Sequence, residues 1–244
     1  MPELAVDGAS IVFIGIFSPA TVTPGWLASE GLLAKEVALS AVAPLITPRL
    51  TAFDAAWLHC EATDNRILFS TTEPAEFPSL CDLAVAFLTS SHETTKVAAV
   101  GLNRNVHFAV ASSAEWHTIG DKVLPKTYWD PVLNLPGTQS AVVVGIRTDK
   151  FIGQVQVTVE PSSRMPPGSA GIYIEHNDHY GLRKVDTQPT SREQFLSPAE
   201  QQQLYVEPSA GLIPLAREIV TTKWEDSMAR ADRVIEAVWQ MRVG

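Results

Sequence analysis

The densest group of side chains that could do chemistry is His176-Asn177-Asp178-His179-Tyr180. Two imidazoles and a carboxylate are donors that divalent transition metals accept, so His176, Asp178 and His179 are candidate metal ligands of a metal-dependent hydrolase. A competing interpretation needs no ion. Asn177 and Asp178 tolerate the backbone of a tight turn, and His176 and His179 would then face each other across a hairpin. The sequence favours the hairpin over the metal.

The short motifs of several common enzyme classes are missing from the sequence. It contains no G-x-S-x-G elbow, no G-x-x-x-x-G-K-[ST] phosphate loop, no G-x-G-x-x-G and no C-x-x-C. His92-Glu93 begins like a zinc-protease motif, but Lys96 stands where the second histidine belongs. Catalytic groups can also assemble from distant positions, so an enzyme stays an alternative. A non-enzymatic function is favoured, and no catalytic residue and no cofactor is predicted.

Three segments supply the candidate binding residues, which are Asn103, Arg104, Asn105, Trp129, Ser162 and Arg164. The first three follow Gly101, where glycine and asparagine suit a bulge or a polar turn. Ser162 and Arg164 lie in a Ser/Pro/Gly-rich loop, and loops on rigid sheets often carry recognition. Trp129 belongs to an aromatic segment between the two halves of the chain. The loop at Ser162 is the preferred contact surface.

Composition favours a protein partner over nucleic acid. The 244 residues include 27 acidic and 18 basic side chains, for a net charge of −9, and no Lys/Arg cluster interrupts that balance. Bulk binding of phosphate backbones is therefore disfavoured. Only 18% of residues are charged, while six Trp and nine Phe are present. We expect part of this apolar surface to lie in a homo-oligomer or partner interface.

Nothing in the sequence predicts export or membrane insertion. The first ten residues lack a basic region, the next apolar run is too short for a signal peptide, and no stretch of about 18 apolar residues occurs. We therefore expect a cytoplasmic protein. Cys60 and Cys81 are predicted to be free thiols rather than a disulfide or a nucleophile.

Sequence patterns in the first half predict four strands, one short helix and one amphipathic helix. The predicted strands cover 11–17, 50–61, 66–72 and 96–110, with a tight turn at Asp64-Asn65. Thr23-Pro24 is a helix start, predicting a short helix over 24–33. Apolar residues from Phe77 to Leu88 recur at spacings of three and four, which predicts an amphipathic helix.

The second half begins after a short helix and an irregular crossover within 114–136. The continuous apolar run at 141–146 is typical of a central strand, whereas valines alternate with polar residues from 155 to 159. A hairpin is predicted from 171–174 and 180–185. Ser197-Pro198-Ala199-Glu200 is a capping box, and a long helix is predicted from about Pro214 to Met241.

These elements predict an α+β fold, mainly antiparallel sheet in two strand-rich halves, each covered by a helix, with a long C-terminal helix. The chain is predicted to form a single compact domain over 1–244. Its alternative description is two sub-halves, 1–112 and 137–244, joined by an irregular crossover at 113–136.

The run from Val97 to Asn105, placed after a sheet-covering helix, resembles in layout a sporadically distributed bacterial family of uncharacterised proteins. The strand-rich second half, the closing helix and the chain length agree with that family. The resemblance implies an accessory role in a bacterial defence or conflict system and carries no activity or site residues. The leading hypothesis is thus a non-enzymatic protein-binding or assembly subunit. A metal-dependent hydrolase and a chaperone-like or ligand-binding sheet, with an apolar groove near Val155, are the alternatives.

Overall fold

The computed structural model describes residues 1–90, 95–147, 149–186 and 206–243. Its strands are β1 (Leu4–Ile16), β2 (Val42–Ile46), β3 (Leu50–Ala55), β4 (Leu58–Thr63), β5 (Arg66–Thr71), β6 (Lys96–Ala109), β7 (Ala141–Ile146), β8 (Phe151–Pro161) and β9 (Gly171–Lys184). Its helices are α1 (Pro24–Ser29), α2 (Lys35–Leu39), α3 (Phe77–Ser90), α4 (Ser113–Val123) and α5 (Ile213–Gln240). Within these ranges no helix is long and apolar enough to cross a membrane.

All nine strands form one antiparallel sheet in the order β2-β3-β4-β5-β1-β6-β9-β8-β7. The predicted fold class is confirmed: the protein is α+β, with two strand-rich halves, each covered by a helix, and a long C-terminal helix. The halves meet at the centre of the sheet, where the two long strands β1 and β6 pair with each other.

The two halves share an order of strands, apart from one additional strand in the first half. In the first, β1 is followed by β2, β3, β4 and β5, β5 pairs back onto β1, and α3 follows. In the second, β6 is followed by β7, β8 and β9, β9 pairs back onto β6, and α5 follows. The edge strand β7 therefore corresponds to β3. The first half alone adds an outer strand, β2, which pairs antiparallel with β3.

The larger helices pack on one face of the sheet. On α3, the Phe87 ring lies 6.0 Å from that of Phe13 on β1 and 5.4 Å from that of Phe69 on β5. On α5, Ile235 and Val238 are buried in a second apolar cluster with Val106, Phe108, Ile174 and the α4 residue Ile119. Burial of these stripes, rather than surface charge pairs, stabilises the arrangement.

The helices predicted from three- and four-residue spacing are present. The α5 helix has Pro214 in its first turn and buries Ala216, Ile219, Val220, Trp224, Ala231, Ile235 and Val238. The α1 helix begins where Thr23 accepts a hydrogen bond from the Trp26 amide at 3.1 Å, although it ends at Ser29, before the predicted boundary. The α4 helix and the irregular segment after it also occur as predicted.

Two predicted strand boundaries differ from the structure because the turns were predicted at the wrong positions. The predicted strand 50–61 is split between β3 and β4 by a turn in which Ala56 has φ of +47°. The predicted hairpin within 171–185 is wrong, because β9 is one 14-residue strand. Asn177 and Asp178 lie in its interior, paired on one side with β6 and on the other with β8. Ladder hydrogen bonds from two neighbours outweigh the local turn preference of an Asn-Asp pair.

Two further expectations about strands fail. Gly101 marks no bulge or turn, since it pairs in register with Val12 and His179 inside β6. The apolar run at 141–146 is not central but forms β7, the outermost strand. The capping box at 197–200 and the pair His92-Glu93 lie outside the described residues.

Candidate interaction surface

The three predicted metal ligands do not converge. On β9, side chains alternate between faces, so His176 and Asp178 lie under the helices whereas His179 lies on the opposite face. Among the described residues, no group of three or more His, Cys, Asp or Glu side chains could hold a metal ion. The cluster that looked dense in the sequence is divided by the two-residue period of the strand.

Asp178 is instead the centre of a buried ion network. Its carboxylate has no exposure and accepts hydrogen bonds from Arg147 and Arg230. Arg147 also donates to Asp149 at 2.9 and 2.6 Å, and its guanidinium lies 3.5 Å from the centre of the Tyr180 ring. Burial alone would lower the pKa of Arg147, but the Asp149 and Asp178 carboxylates outweigh it and raise that pKa. The charges of Asp178 and Arg147 are thus both paired within the protein.

Arg104 is a second buried cation and not a free binding residue. It donates to both carboxylate oxygens of Asp7, at 2.8 and 3.0 Å, and to Asp232 of α5 at 2.7 Å. Its neighbours Asn103 and Asn105 lie on the other face of β6, where Asn103 donates to the Ser10 hydroxyl at 3.1 Å. The predicted binding trio is therefore divided, with Arg104 joining α5 to the sheet.

His176 lies beside this network without sharing in it. It is buried, and neither ring nitrogen has a hydrogen-bond partner among the described residues. Burial, opposed by the Asp178 carboxylate and assisted by Arg230 and Arg104, lowers the pKa of His176 to about 4. The imidazole is neutral at physiological pH, and protonating it would add a cation that the Arg230 and Arg104 charges repel.

This geometry predicts a pH-dependent stability. An unfolded histidine binds its proton near pH 6.5 and His176 in the folded protein only near 4, so between these values the unfolded state holds more protons. We expect His176 to remove about 3 kcal/mol of stability as the pH falls from 6.5 to 4. Urea unfolding of the parent and of His176→Leu across this range should give a flatter pH profile for the variant. Parallel profiles would contradict the prediction.

Ser162 and Arg164 occupy the loop that the sequence predicts after β8. The Ser162 hydroxyl oxygen lies 2.8 Å from Nδ1 of His107 and accepts the Arg164 amide at 3.1 Å. Burial and the Arg164 charge lower the pKa of His107. Ser162 is thus held by contacts within the loop and to β6, while the Arg164 side chain is exposed.

Trp129 lies in an irregular loop over residues 126–138, here called the aromatic loop. The carbonyl of Gly120, near the end of α4, accepts hydrogen bonds from Lys126 at 3.3 Å and from Thr138 at 3.0 Å. Lys126 also donates to Thr138 directly, so the two ends of the loop are tied together. Compact surface loops with closed ends are frequently functional.

The aromatic loop and β7 concentrate exposed apolar side chains. Of the large hydrophobic residues that are exposed in the described part of the chain, more than half lie between positions 124 and 144, namely Leu124, Tyr128, Trp129, Val132, Leu133, Leu135, Val142, Val143 and Val144. Val142 is 54% exposed and Val143 56%, although they point to opposite faces of the sheet. Exposed apolar patches of this kind mark interaction surfaces.

Trp129 is among the binding residues predicted from the sequence, whereas the residues of β7 are not. A continuous apolar run looks the same in the sequence whether its strand has neighbours on both sides or lies at the edge of the sheet. The run at 141–146 therefore predicts a central strand although it forms an edge strand. The sequence feature that could have indicated this surface is the apolar segment immediately before β7, at 128–135. A loop that only connects two halves of a sheet does not require apolar side chains.

A shallow cleft lies between α4 and the ends of β8 and β9. Its enclosed volume is only about 10 Å³, and it is lined by Trp116, Ile119, Gly120, Thr138, Val159, Glu160, Pro161 and Ile172. Sites for drug-sized ligands usually enclose roughly 300–1,000 Å³. This cleft therefore gives little support to a ligand-binding groove beside β8.

No protein-family model matches the sequence. No curated protein is significantly similar to it. The layout resemblance drawn from the sequence accordingly stays a prediction.

Proposed function

We propose that this protein is a non-enzymatic protein-binding or assembly subunit whose contact surface is the aromatic loop together with β7. The observation that carries the proposal is the concentration of exposed large apolar side chains between positions 124 and 144. A solvated monomer gains nothing from such a surface, whereas a partner that covers it gains roughly 25 cal/mol for each Å² of apolar area removed from water.

The chemistry of the aromatic loop suits a binding surface. Trp and Tyr are enriched among residues that dominate interface energetics, and the loop exposes both Tyr128 and Trp129. The Lys126 and Thr138 bonds close the loop before any partner arrives. A closed loop loses less conformational entropy on binding, so more of the contact energy is retained as affinity.

Leu135 adds a second observation within the same loop. Its side chain is 90% exposed, and its backbone has φ of +51°, a conformation that bulky residues rarely adopt. A non-glycine residue in this region costs on the order of 1 kcal/mol or more, and such strain clusters at functional positions. The combination of strain and apolar exposure supports Leu135 as a residue presented to a partner.

The biological setting follows from the layout resemblance. A sporadically distributed bacterial family implies an accessory component of a defence or conflict system, and we retain that role as part of the proposal. A subunit in such a system needs a stable scaffold and a contact surface, which agrees with the concentration of exposed apolar residues at 124–144.

A pulldown with matched surface variants tests the proposal. The variant Trp129→Ser/Leu133→Ser/Leu135→Asn removes apolar area from the aromatic loop. We expect the tagged variant to recover at least tenfold less of the partner protein from the source cell than the tagged parent does. The control Leu39→Ser/Val42→Ser/Leu45→Ser removes exposed apolar residues at the other end of the sheet. It should recover the partner like the parent.

Thermal melts of both triple variants should show that each is folded. Equal recovery of every protein by the loop variant and the control would contradict the proposal. Recovery of no specific protein by the parent, combined with a monomeric parent at high concentration, would contradict it as well.

A further inference from the structure

We propose that the outer edge of β7 pairs antiparallel with β7 of a second copy of this chain, which joins two sheets into one. This inference rests on the proposed function and names the partner. Among the described residues, no strand pairs with the outer side of β7, whose only ladder is the one to β8. Its outward backbone groups are available to an added strand.

The repeated halves of the protein indicate what belongs at this edge. The strand that corresponds to β7 in the first half is β3, and β3 is covered by the antiparallel five-residue strand β2. In the second half the equivalent position before β7 is taken by the aromatic loop, which is irregular. The part of the chain that the structure describes thus provides a covering strand at one end of the sheet and none at the other, where we place a strand from outside.

The two edges of the sheet differ in how they are protected. The β2 edge contains Pro44 and an irregular register between Val42 and Leu45, both of which hinder further pairing. The β7 edge, Ala-Val-Val-Val-Gly-Ile, has no proline and no charge, and its ladder to β8 is regular over all six residues. Self-pairing of β7 therefore brings no like charges together.

Twofold symmetry restricts the register of the proposed pair. Residues directly opposite in an antiparallel pair point to the same face, so a twofold axis perpendicular to the sheet must place each residue opposite one of the same parity. A register centred on Val143 satisfies this condition and pairs Val143 with itself. Val142 then lies opposite Val144, and Ala141 opposite Gly145, so the three exposed valines cover one another.

The aromatic loop must share the interface with β7. A six-residue strand is about 20 Å long and a sheet about 10 Å thick, so one edge offers about 200 Å², against roughly 800 Å² per partner in a stable complex. The loop leads into β7 after only two residues and supplies further exposed apolar surface. In the proposed dimer the second copy thus contacts the aromatic loop as well as β7.

Oxidative cross-linking of Val143→Cys tests the pairing. Opposite residues in an antiparallel pair have Cα atoms about 4.5–5.5 Å apart, within the range that a disulfide spans. We expect mild oxidation to convert most of the variant to a covalent dimer. Val42→Cys, 67% exposed on the β2 edge, serves as the control and should stay monomeric on a denaturing gel. The parent, with buried Cys60 and half-buried Cys81, measures any background.

A mixture of Val142→Cys and Val144→Cys gives a second readout, because the register that places Val143 opposite itself also places Val142 opposite Val144. It should form a cross-linked heterodimer, whereas Val142→Cys alone should not form a homodimer. Cross-linking in either format, without cross-linking of Val42→Cys, supports the pairing.

Failure of this inference and of the proposed function are distinguishable by sedimentation. If the parent is a dimer that the aromatic-loop variant dissociates, but neither cysteine format cross-links, the strand pairing is wrong and the assembly function remains. If the parent is monomeric at every concentration and a different protein is lost with the aromatic-loop variant, the second copy is wrong and protein binding remains. If neither a dimer nor a loop-dependent partner is found, both are wrong.

Discussion

Ile235→Asp is expected to lower the free energy of unfolding by roughly 3–5 kcal/mol, because it removes a buried aliphatic side chain and puts a charge in its place. Ile235 is 1% exposed and lies in the cluster that contains Val106, Phe108 and Ile174. Denaturant unfolding followed by circular dichroism would measure the change.

Arg233→Ala is the matched control for this prediction. Arg233 lies two residues earlier on α5 with an exposed side chain, so its removal should change stability by less than about 0.5 kcal/mol. Both variants alter helix propensity only slightly in comparison with the burial effect. An Ile235→Asp protein that unfolds like the parent would mean that α5 is not docked on β6 and β9.

Asp178→Asn is expected to destabilise the protein by a similar amount, roughly 3–5 kcal/mol, since it breaks a buried ion network from its centre. The substitution keeps the size of the side chain and removes the negative charge that Arg147 and Arg230 share. Arg147 is only 1% exposed, so water cannot compensate for the lost charge, although Asp149 remains as its second partner. The loss should be measured as a lower midpoint in urea.

Glu218→Gln provides the control for the charge network. Glu218 forms an ion pair with Lys184, and both side chains are about half exposed. Such surface pairs contribute roughly 0–1 kcal/mol, so this variant should be close to the parent. Equal midpoints for Asp178→Asn and Glu218→Gln would show that the network under α5 does not stabilise the fold.

The buried charges and the proposed contact surface involve different side chains. The buried charges lie between the sheet and α5, where Arg104 and Arg230 each join a strand to the helix. The proposed contact surface consists of exposed side chains of the aromatic loop and β7, and these take no part in the charge network, although Arg147 directly follows β7. Variants that remove contacts there should leave the stability of the core largely intact.

Elements with strong local periodicity could be predicted from the sequence alone. The stripe of Leu80, Leu83, Ala84, Phe87 and Leu88 gave α3, and the equivalent stripe gave α5, because an apolar helix face has the same spacing wherever it packs. The turn at Asp64-Asn65 was also predictable, since it joins β4 and β5 through residues that suit a tight turn. From these elements the α+β class followed.

The functional positions depended on neighbours that local patterns do not specify. Whether 141–146 is central or outermost is decided by which strands pair beside it, and whether Asn177-Asp178 turns or continues is decided by the ladders from β6 and β8. The sequence determined which segments are apolar and which residues carry charge. Only the tertiary structure decided that Arg104 and Asp178 are paired while the valines of β7 are exposed, because pairing and exposure result from contacts between residues far apart in the chain.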